Sequence, residues 1–309
     1  MYNNLTDCFD EIGSNFRGHV LVIECNKRET GAGKPFVSMR VTDGTKQIDT
    51  VRWNSETEYP VGQVILLTGA SGEYNGQEQL TVKGAQYAPE VDRTQFAITL
   101  STKSYDECLM FIDKIQCTRL RVPIRATFEE NKDRLLLAAG AVKMHHNYAG
   151  GYLDHIHEVT RYAYVIALDS KSDIYNKIDL DVLIASALMH DFGKLVAYRV
   201  DEVTGVVQPD ANYYSTDHII DTCAFLRELL EGYEHYDQIE HCVISHHGNL
   251  EWGALKQPSS IEAYILHTAD MLSSQLESML SAFDKQANEF GWTTGKVFPF
   301  NRYIFIGNK

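Results

Sequence analysis

Ser186-Ala187-Leu188-Met189-His190-Asp191-Phe192-Gly193-Lys194-Leu195 reads as the end of a buried helix. Leu183, Ile184, Ala187 and Leu188 fall at helical spacing on one apolar face. His190 and Asp191 close that helix, and Gly193 ends it. An imidazole beside a carboxylate at the end of an apolar helix is costly unless the two are paired or bound to a metal. A cation ligated by imidazole nitrogen and carboxylate oxygen is the usual remedy. Alone the dipeptide carries little weight, because His-Asp pairs are common. Its meaning comes from the sequence around it.

Eleven of the twelve histidines lie between His145 and His267, in a region whose periodicity is helical throughout. Four further pieces join His190-Asp191. Gly150-Gly151-Tyr152-Leu153-Asp154-His155 opens an amphipathic helix with Val159, Ala163 and Ile166 on one face. His218 falls in the first turn of a helix from Thr216 to Leu230. Ser245-His246-His247-Gly248 ends a helix that starts at Glu234. Asp270 follows His267 inside a helix begun by Pro258-Ser259-Ser260. Each piece puts an imidazole or a carboxylate on a different helix, as a metal site inside a helical bundle requires. A single histidine is more often an ordinary core or surface residue, and His157, His235, His241 and His267 are read that way. The ordered set is not.

Residues 1–90 read as all-β. Strands are expected over 18–25, 36–41, 46–53, 64–69 and 78–82, separated by Gly31-Ala32-Gly33-Lys34-Pro35, an Asp43-Gly44 turn and a Tyr74-Asn75-Gly76-Gln77 hairpin. Five short strands with these turns fit a Greek-key barrel of the OB type. Such barrels bind single strands by stacking bases on aromatics, for which Phe36, Trp53 and Tyr74 are candidates, with Arg40 and Arg52 for phosphates. Any one of these aromatics can equally point into the core. Gly31-Ala32-Gly33-Lys34 is not a phosphate loop, since no helix follows and the glycine spacing is wrong. Residues 91–143 read as a helical connector, with one helix over 105–115 and a second after a break at Pro123. The fold expected is therefore multidomain: an OB-type barrel over 1–90, the connector, and an all-α domain over 144–309.

The net charge of -14 argues against a simple electrostatic binder of nucleic acid. Acid is concentrated in residues 151–309, with 11 basic and 23 acidic side chains, where metal ions would offset part of it. Lys114, Arg119, Arg121 and Arg125 form an acid-free run that reads either as a solvated face or as a phosphate-contacting patch. Six cysteines with no CxxC pair suit reduced thiols. With no signal peptide at the N-terminus and no membrane-spanning run, a cytoplasmic protein with no membrane partner is expected.

Here the residues carry a resemblance. The second half resembles the HD-superfamily metal-dependent phosphohydrolases. The chain as a whole resembles the YhaM-type 3′-5′ exoribonucleases, which join an OB domain to an HD domain. The matching segments are Met144-His145-His146-Asn147-Tyr148-Ala149-Gly150-Gly151-Tyr152-Leu153-Asp154-His155, Leu188-Met189-His190-Asp191-Phe192-Gly193-Lys194, and Ser245-His246-His247-Gly248-Asn249-Leu250-Glu251-Trp252-Gly253. The connector and the tail from Gly291 match poorly.

The resemblance implies one metal held by His155, His190, Asp191 and Asp270. It implies a second held by His218 with His246, His247 or both, Asp191 bridging. Manganese is the first choice, with iron, magnesium, cobalt or nickel as alternatives. Asp191 and Lys194 would be catalytic, Lys194 holding a phosphate oxygen, and His145 and His146 would contact substrate. The implied activity is release of nucleoside 5′-monophosphates from the 3′ end of single-stranded RNA, with DNA as a second substrate, by a chain that self-associates. A phosphodiesterase for cyclic or short oligonucleotides and a non-catalytic single-strand binder are the alternatives. The aromatic tail Val297 to Phe305 would be an interface or a cap on the core.

Overall fold

Alternating apolar residues in the first ninety positions form five strands: β1 (Asn15–Glu29), β2 (Pro35–Thr42), β3 (Gln47–Trp53), β4 (Val64–Tyr74) and β5 (Gln77–Tyr87). They were found in a computed structural model, which describes residues 1–74, 77–97, 100–142, 146–283, 287–297 and 299–307. The strands close into a barrel in the order β1-β2-β3-β5-β4, with β3 and β5 parallel and the other pairs antiparallel. Such closure leaves no free sheet edge. Its core is Phe16, Val20, Val22, Val37, Met39, Val41, Ile48, Ile65, Leu67 and Leu80. The β2–β3 turn forms because Asp43 Oδ1 accepts from the N–H groups of Thr45 and Lys46 (3.0 and 3.1 Å) while Gly44 takes φ +87°. A register shift between Thr68 and Gly69 bends β4, and a Cβ at Gly69 would lie 2.6 Å from the Thr81 carbonyl. A short helix α1 (Leu5–Phe9) precedes the barrel. Asn75-Gly76, the tip of the expected hairpin, lies outside the described residues.

The helical part contains α2 (Lys103–Ile112), α3 (Thr118–Glu130), α4 (Lys132–Leu137), α5 (Gly151–Leu168), α6 (Ser172–Tyr175), α7 (Leu180–Met189) and α8 (Lys194–Ala197). A hairpin of β6 (Tyr198–Val200) and β7 (Val207–Pro209) follows, then α9 (Ala211–Ser215), α10 (His218–Leu229), α11 (Tyr236–Ser245) and α12 (Ile261–Phe283). By its contacts the chain divides into two units. Met1–Thr99, Asp201–Val206 and Ala282–Lys309 make the first; Leu100–Val200 and Val207–Ser281 make the second. The connector therefore does not stand apart: Tyr105, Ile112, Leu120, Ile124 and Phe128 share one apolar core with α5 and α7. The tail groups with the barrel unit, where Val297, Ile304 and Ile306 pack on Ala282.

Three local expectations are corrected. Pro123 lies inside α3 and does not divide two helices. In the second turn it forfeits a single backbone bond, and the helix start is held by Asp181, whose two oxygens accept from the N–H groups of Gln116 and Cys117 (2.8 and 2.7 Å). Helix α7 has no apolar stripe, because every residue from Val182 to Met189 is buried. Gly193 is not a left-handed cap, its φ being -62°. It is glycine because a Cβ there would stand 2.1 Å from the His218 carbonyl oxygen, so α10 can pass close to the end of α7. The basic run near α3 behaves as a solvated face: Arg125 pairs with Asp113 and Glu129, and Arg121 donates to the Ile115 carbonyl.

Candidate metal centre and barrel groove

Helix α7 delivers His190 and Asp191 to the middle of the helical unit, where both are almost completely buried. Four other helices bring side chains to Asp191. His155 of α5 approaches Asp191 Oδ2 to 3.4 Å, and His218 of α10 approaches Oδ1 to 3.3 Å. His246, at the end of α11, lies 3.6 Å from Oδ1. Asp270 of α12 stands 3.2 Å from His155 Nε2 and 3.9 Å from His190 Nε2. His247 joins His218 and His246 in one ligand-type cluster; His155, His190 and Asp270 form another; Asp191 connects them through His190 and His246.

The far side of each ring fixes its tautomer. His190 Nδ1 donates to the Ala187 carbonyl (2.9 Å) and His246 Nδ1 to the Val243 carbonyl (2.6 Å). A carbonyl only accepts, so each Nδ1 carries a hydrogen and each Nε2 is the atom turned inward. Ser273 gives its hydrogen to Glu158 (2.9 Å), so its oxygen receives His155 Nδ1–H (3.2 Å). His190 Nε2, His218 Nε2, His246 Nε2 and Asp191 Oδ1 are buried without a hydrogen-bond partner. Ring nitrogens and carboxylate oxygens thus face one another at 3.3–3.9 Å, beyond hydrogen-bond distance for most of them. Buried polar atoms left without partners are costly unless a cation lies between them, and the mixed N/O donors suit a divalent transition metal.

Charges in the pocket agree with this. Burial alone would raise the Asp191 pKa, but Lys194 and His190 outweigh it and hold the carboxyl well below its usual range. Asp270 is lowered against burial by His155. Burial, reinforced by His247 and His190, keeps His246 neutral, far below the ordinary imidazole value. Burial also opposes charge on His155, yet Asp191 and Asp270 raise its pKa; two carboxylates so placed attract a proton or a metal. Lys194 Nζ donates to Asp191 Oδ2 at 2.5 Å.

Several expected residues have other surroundings. His146 is buried at φ +56°, its Nε2 3.7 Å from Glu158, and His145 lies outside the described residues. His267 donates to the His246 carbonyl (2.8 Å), filling space left by Gly248, where a Cβ would meet its ring at 2.1 Å. Sequence reading missed Ser273 and Glu158. Both stand three residues after a candidate ligand on the same helix, Asp270 and His155, so helical spacing could have found them.

On the barrel, Phe36, Arg40, Trp53 and Tyr74 line one groove of about 380 Å³, together with Arg28, Asn26 and Glu24. Phe36 and Trp53 are register partners with ring centres 5.0 Å apart. Arg40, opposite Asp49, is tied to it by two bonds of 2.8 and 3.3 Å. Arg52 does not line the groove and donates instead to the Tyr59 hydroxyl. The period of two along β3 separates it from Trp53.

A His-Asp pair at the end of a buried helix is thus ringed by imidazoles and an aspartate from other helices. Residues 152–275 match the HD domain family model, and the barrel of β1–β5 precedes them in the chain. Along nearly its whole length the chain is similar to proteins named 3′-5′ exoribonuclease YhaM. The Oceanobacillus iheyensis protein is 26% identical, covering 96% of this chain and 95% of its own. That of Listeria innocua is 26% identical over 87% and 88%, and that of Bacillus subtilis 24% over 96% and 95%. A solved second OB-fold domain of replication protein A from Methanococcus maripaludis matches at 14% identity and a TM-score of 0.22, covering 26% of this chain and 88% of that one. Among the described residues no helix is long and apolar enough to cross a membrane.

Proposed function

We propose that this chain is a metal-dependent 3′-5′ exonuclease that releases nucleoside 5′-monophosphates from single-stranded RNA, with single-stranded DNA as a second substrate. One observation carries the reading: imidazoles and carboxylates from five helices gather around buried Asp191, and His190 Nε2, His218 Nε2, His246 Nε2 and Asp191 Oδ1 have no hydrogen-bond partner. The names of the full-length relatives support the substrate class. His155, His190, Asp191 and Asp270 would hold one ion, and His218, His246 and His247 with Asp191 a second, manganese being the first choice. Bound there, a pair of divalent ions would supply an acidified water for in-line attack at phosphorus and would offset phosphate charge.

The chain's own groups do the rest. Asp191 stays ionised and joins the two ligand groups. Lys194, protonated because Asp191 outweighs its burial, moves its charge to a non-bridging phosphate oxygen as the bond to the penultimate O3′ breaks. Phe36, Trp53 and Tyr74 would stack the bases of the incoming strand. The same reading puts the protein in the cytoplasm, which suits its six free cysteines, and expects it to self-associate.

The test is hydrolysis of a 5′-labelled single-stranded RNA with manganese, wild type beside Asp191→Ala. The expected result is a ladder shortening from the 3′ end in wild type and none in the variant. Equal activity in both would overturn the assignment. Intact RNA alongside a hydrolysed cyclic dinucleotide would favour a phosphodiesterase, and bound but intact RNA a strand-binding protein.

A further inference from the structure

Beside the metal ligands the helical unit has a second recess of about 530 Å³, within the range of small-ligand pockets. Lys194 lines it while its Nζ donates to Asp191, so this one side chain is shared by the recess and the candidate centre. Leu137, Leu195 and Val196 give it an apolar floor. One wall is β6, where Tyr198 is paired with Pro209 and the Asp210 N–H donates to the Ala197 carbonyl at 2.8 Å. The Tyr198 ring is therefore carried on fixed backbone, with the Tyr213 ring 5.9 Å away. Asn212 adds an amide that can both donate and accept.

Charge sharpens the reading. Three cations line the recess: Arg199 is paired with the lining acid Asp210 (3.3 Å) and Lys194 with Asp191, while Arg134 donates to the neutral Leu195 carbonyl (2.6 Å). A cationic rim suits an anion. A bare phosphate would have no use for the ring and floor, and an apolar ligand none for three cations. A single nucleotide uses all of them.

We propose that this recess receives the 3′-terminal nucleotide of the strand, its base against Tyr198 and its 5′-phosphate directed past Lys194 to Asp191. The strand end rests on the exonuclease reading above; the nucleotide pocket does not, because it can be measured without turnover. Room for one nucleotide also gives a physical reason for trimming one residue at a time.

The experiment is calorimetric titration of adenosine 5′-monophosphate into the full-length protein in manganese buffer, with metal content and RNA trimming measured on the same samples. Tyr198→Ala should weaken binding roughly ten-fold, as loss of a stacked base does, and raise KM for short RNA more than it lowers kcat, with metal content unchanged. Tyr198→Phe keeps the ring and should recover most of the affinity. Asn212→Trp, which fills the recess from α9, should weaken binding too and serves if Tyr198→Ala does not fold. Wild-type affinity in both Tyr198→Ala and Asn212→Trp, or no binding by wild type at millimolar nucleotide, would overturn the proposal. RNA trimming with unaltered nucleotide binding in the variants would leave the exonuclease standing and remove the pocket. Nucleotide binding lost in the variants, with no trimming by wild type, would do the reverse.

Discussion

Ser273 shows how much of the centre depends on residues that never face it. Its hydroxyl stands between His155 and Glu158 and decides which ring nitrogen of His155 carries hydrogen. Such partners typically account for 10- to 100-fold in metal affinity. Ser273→Ala should therefore weaken manganese binding by about that factor in a metal titration, while Ser273→Thr, which keeps the hydroxyl, should retain most of it. An unchanged affinity in Ser273→Ala would mean that packing alone orients His155. Gly248 and His267 show the same dependence from the other side: the glycine leaves the space, and the histidine filling it fixes the backbone beneath His246.

Elements carry their own tests. On the barrel, β2 and β3 are in a register that sets Phe36 opposite Trp53 at the lip of the groove. Trp53→Ala should weaken binding of a single-stranded RNA by about 1–3 kcal/mol, the usual worth of one stacked base, measured by fluorescence anisotropy. Hydrolysis of a small phosphodiester should hardly change; parallel loss of both would contradict a division of labour between barrel and metal centre. A second test concerns the loop between β6 and β7. Asp201 accepts from the N–H groups of Val203 and Thr204 and from Arg93 (2.6 Å). Burial would raise its pKa, but these bonds lower it to about 2. A carboxylate depressed on folding adds stability above its unfolded pKa of about 3.9 and loses it as pH falls towards the folded value. The wild-type melting temperature should fall between about pH 4 and 2 by more than that of Asp201→Asn. Identical acid profiles would show that Asp201 contributes nothing there.

At the scale of the whole molecule, a net charge of -14 and a proposed nucleic-acid substrate look incompatible. They are reconciled if binding depends on stacking and metal and little on counterion release. In the barrel groove Arg40 is occupied by Asp49, and Glu24 offsets part of what Arg28 adds. Two effective cations on a single strand correspond to a slope of log K against log salt of about -1 to -2. A titration of RNA binding at several potassium chloride concentrations should find that shallow slope. A slope steeper than about -4 would point to an extended basic track that the groove does not supply.

Barrel strands, the buried helix and the five His/Asp pieces that cluster around Asp191 were legible in the sequence, because each is written in local pattern. A strand alternates with period two, a turn declares itself by Asp43-Gly44, and a ligand on an apolar helix stands out by the cost of burying it. Long-range placement was not legible. That Arg52 turns away from the groove while Arg40 is spent on Asp49 depends on register across two strands. That Pro123 sits inside a helix depends on Asp181, some sixty residues later, holding the helix start. Gly193 reads as a helix terminator, yet its reason is the His218 backbone that passes where a Cβ would be. The tail, read as the end of the helical domain, groups with the barrel unit. Sequence alone named the side chains that a metal would need, since their chemistry is local. Only the tertiary structure decided which of them meet, which way each ring turns, and that Tyr198 stands one residue cluster away from them, since those depend on what distant segments leave room for.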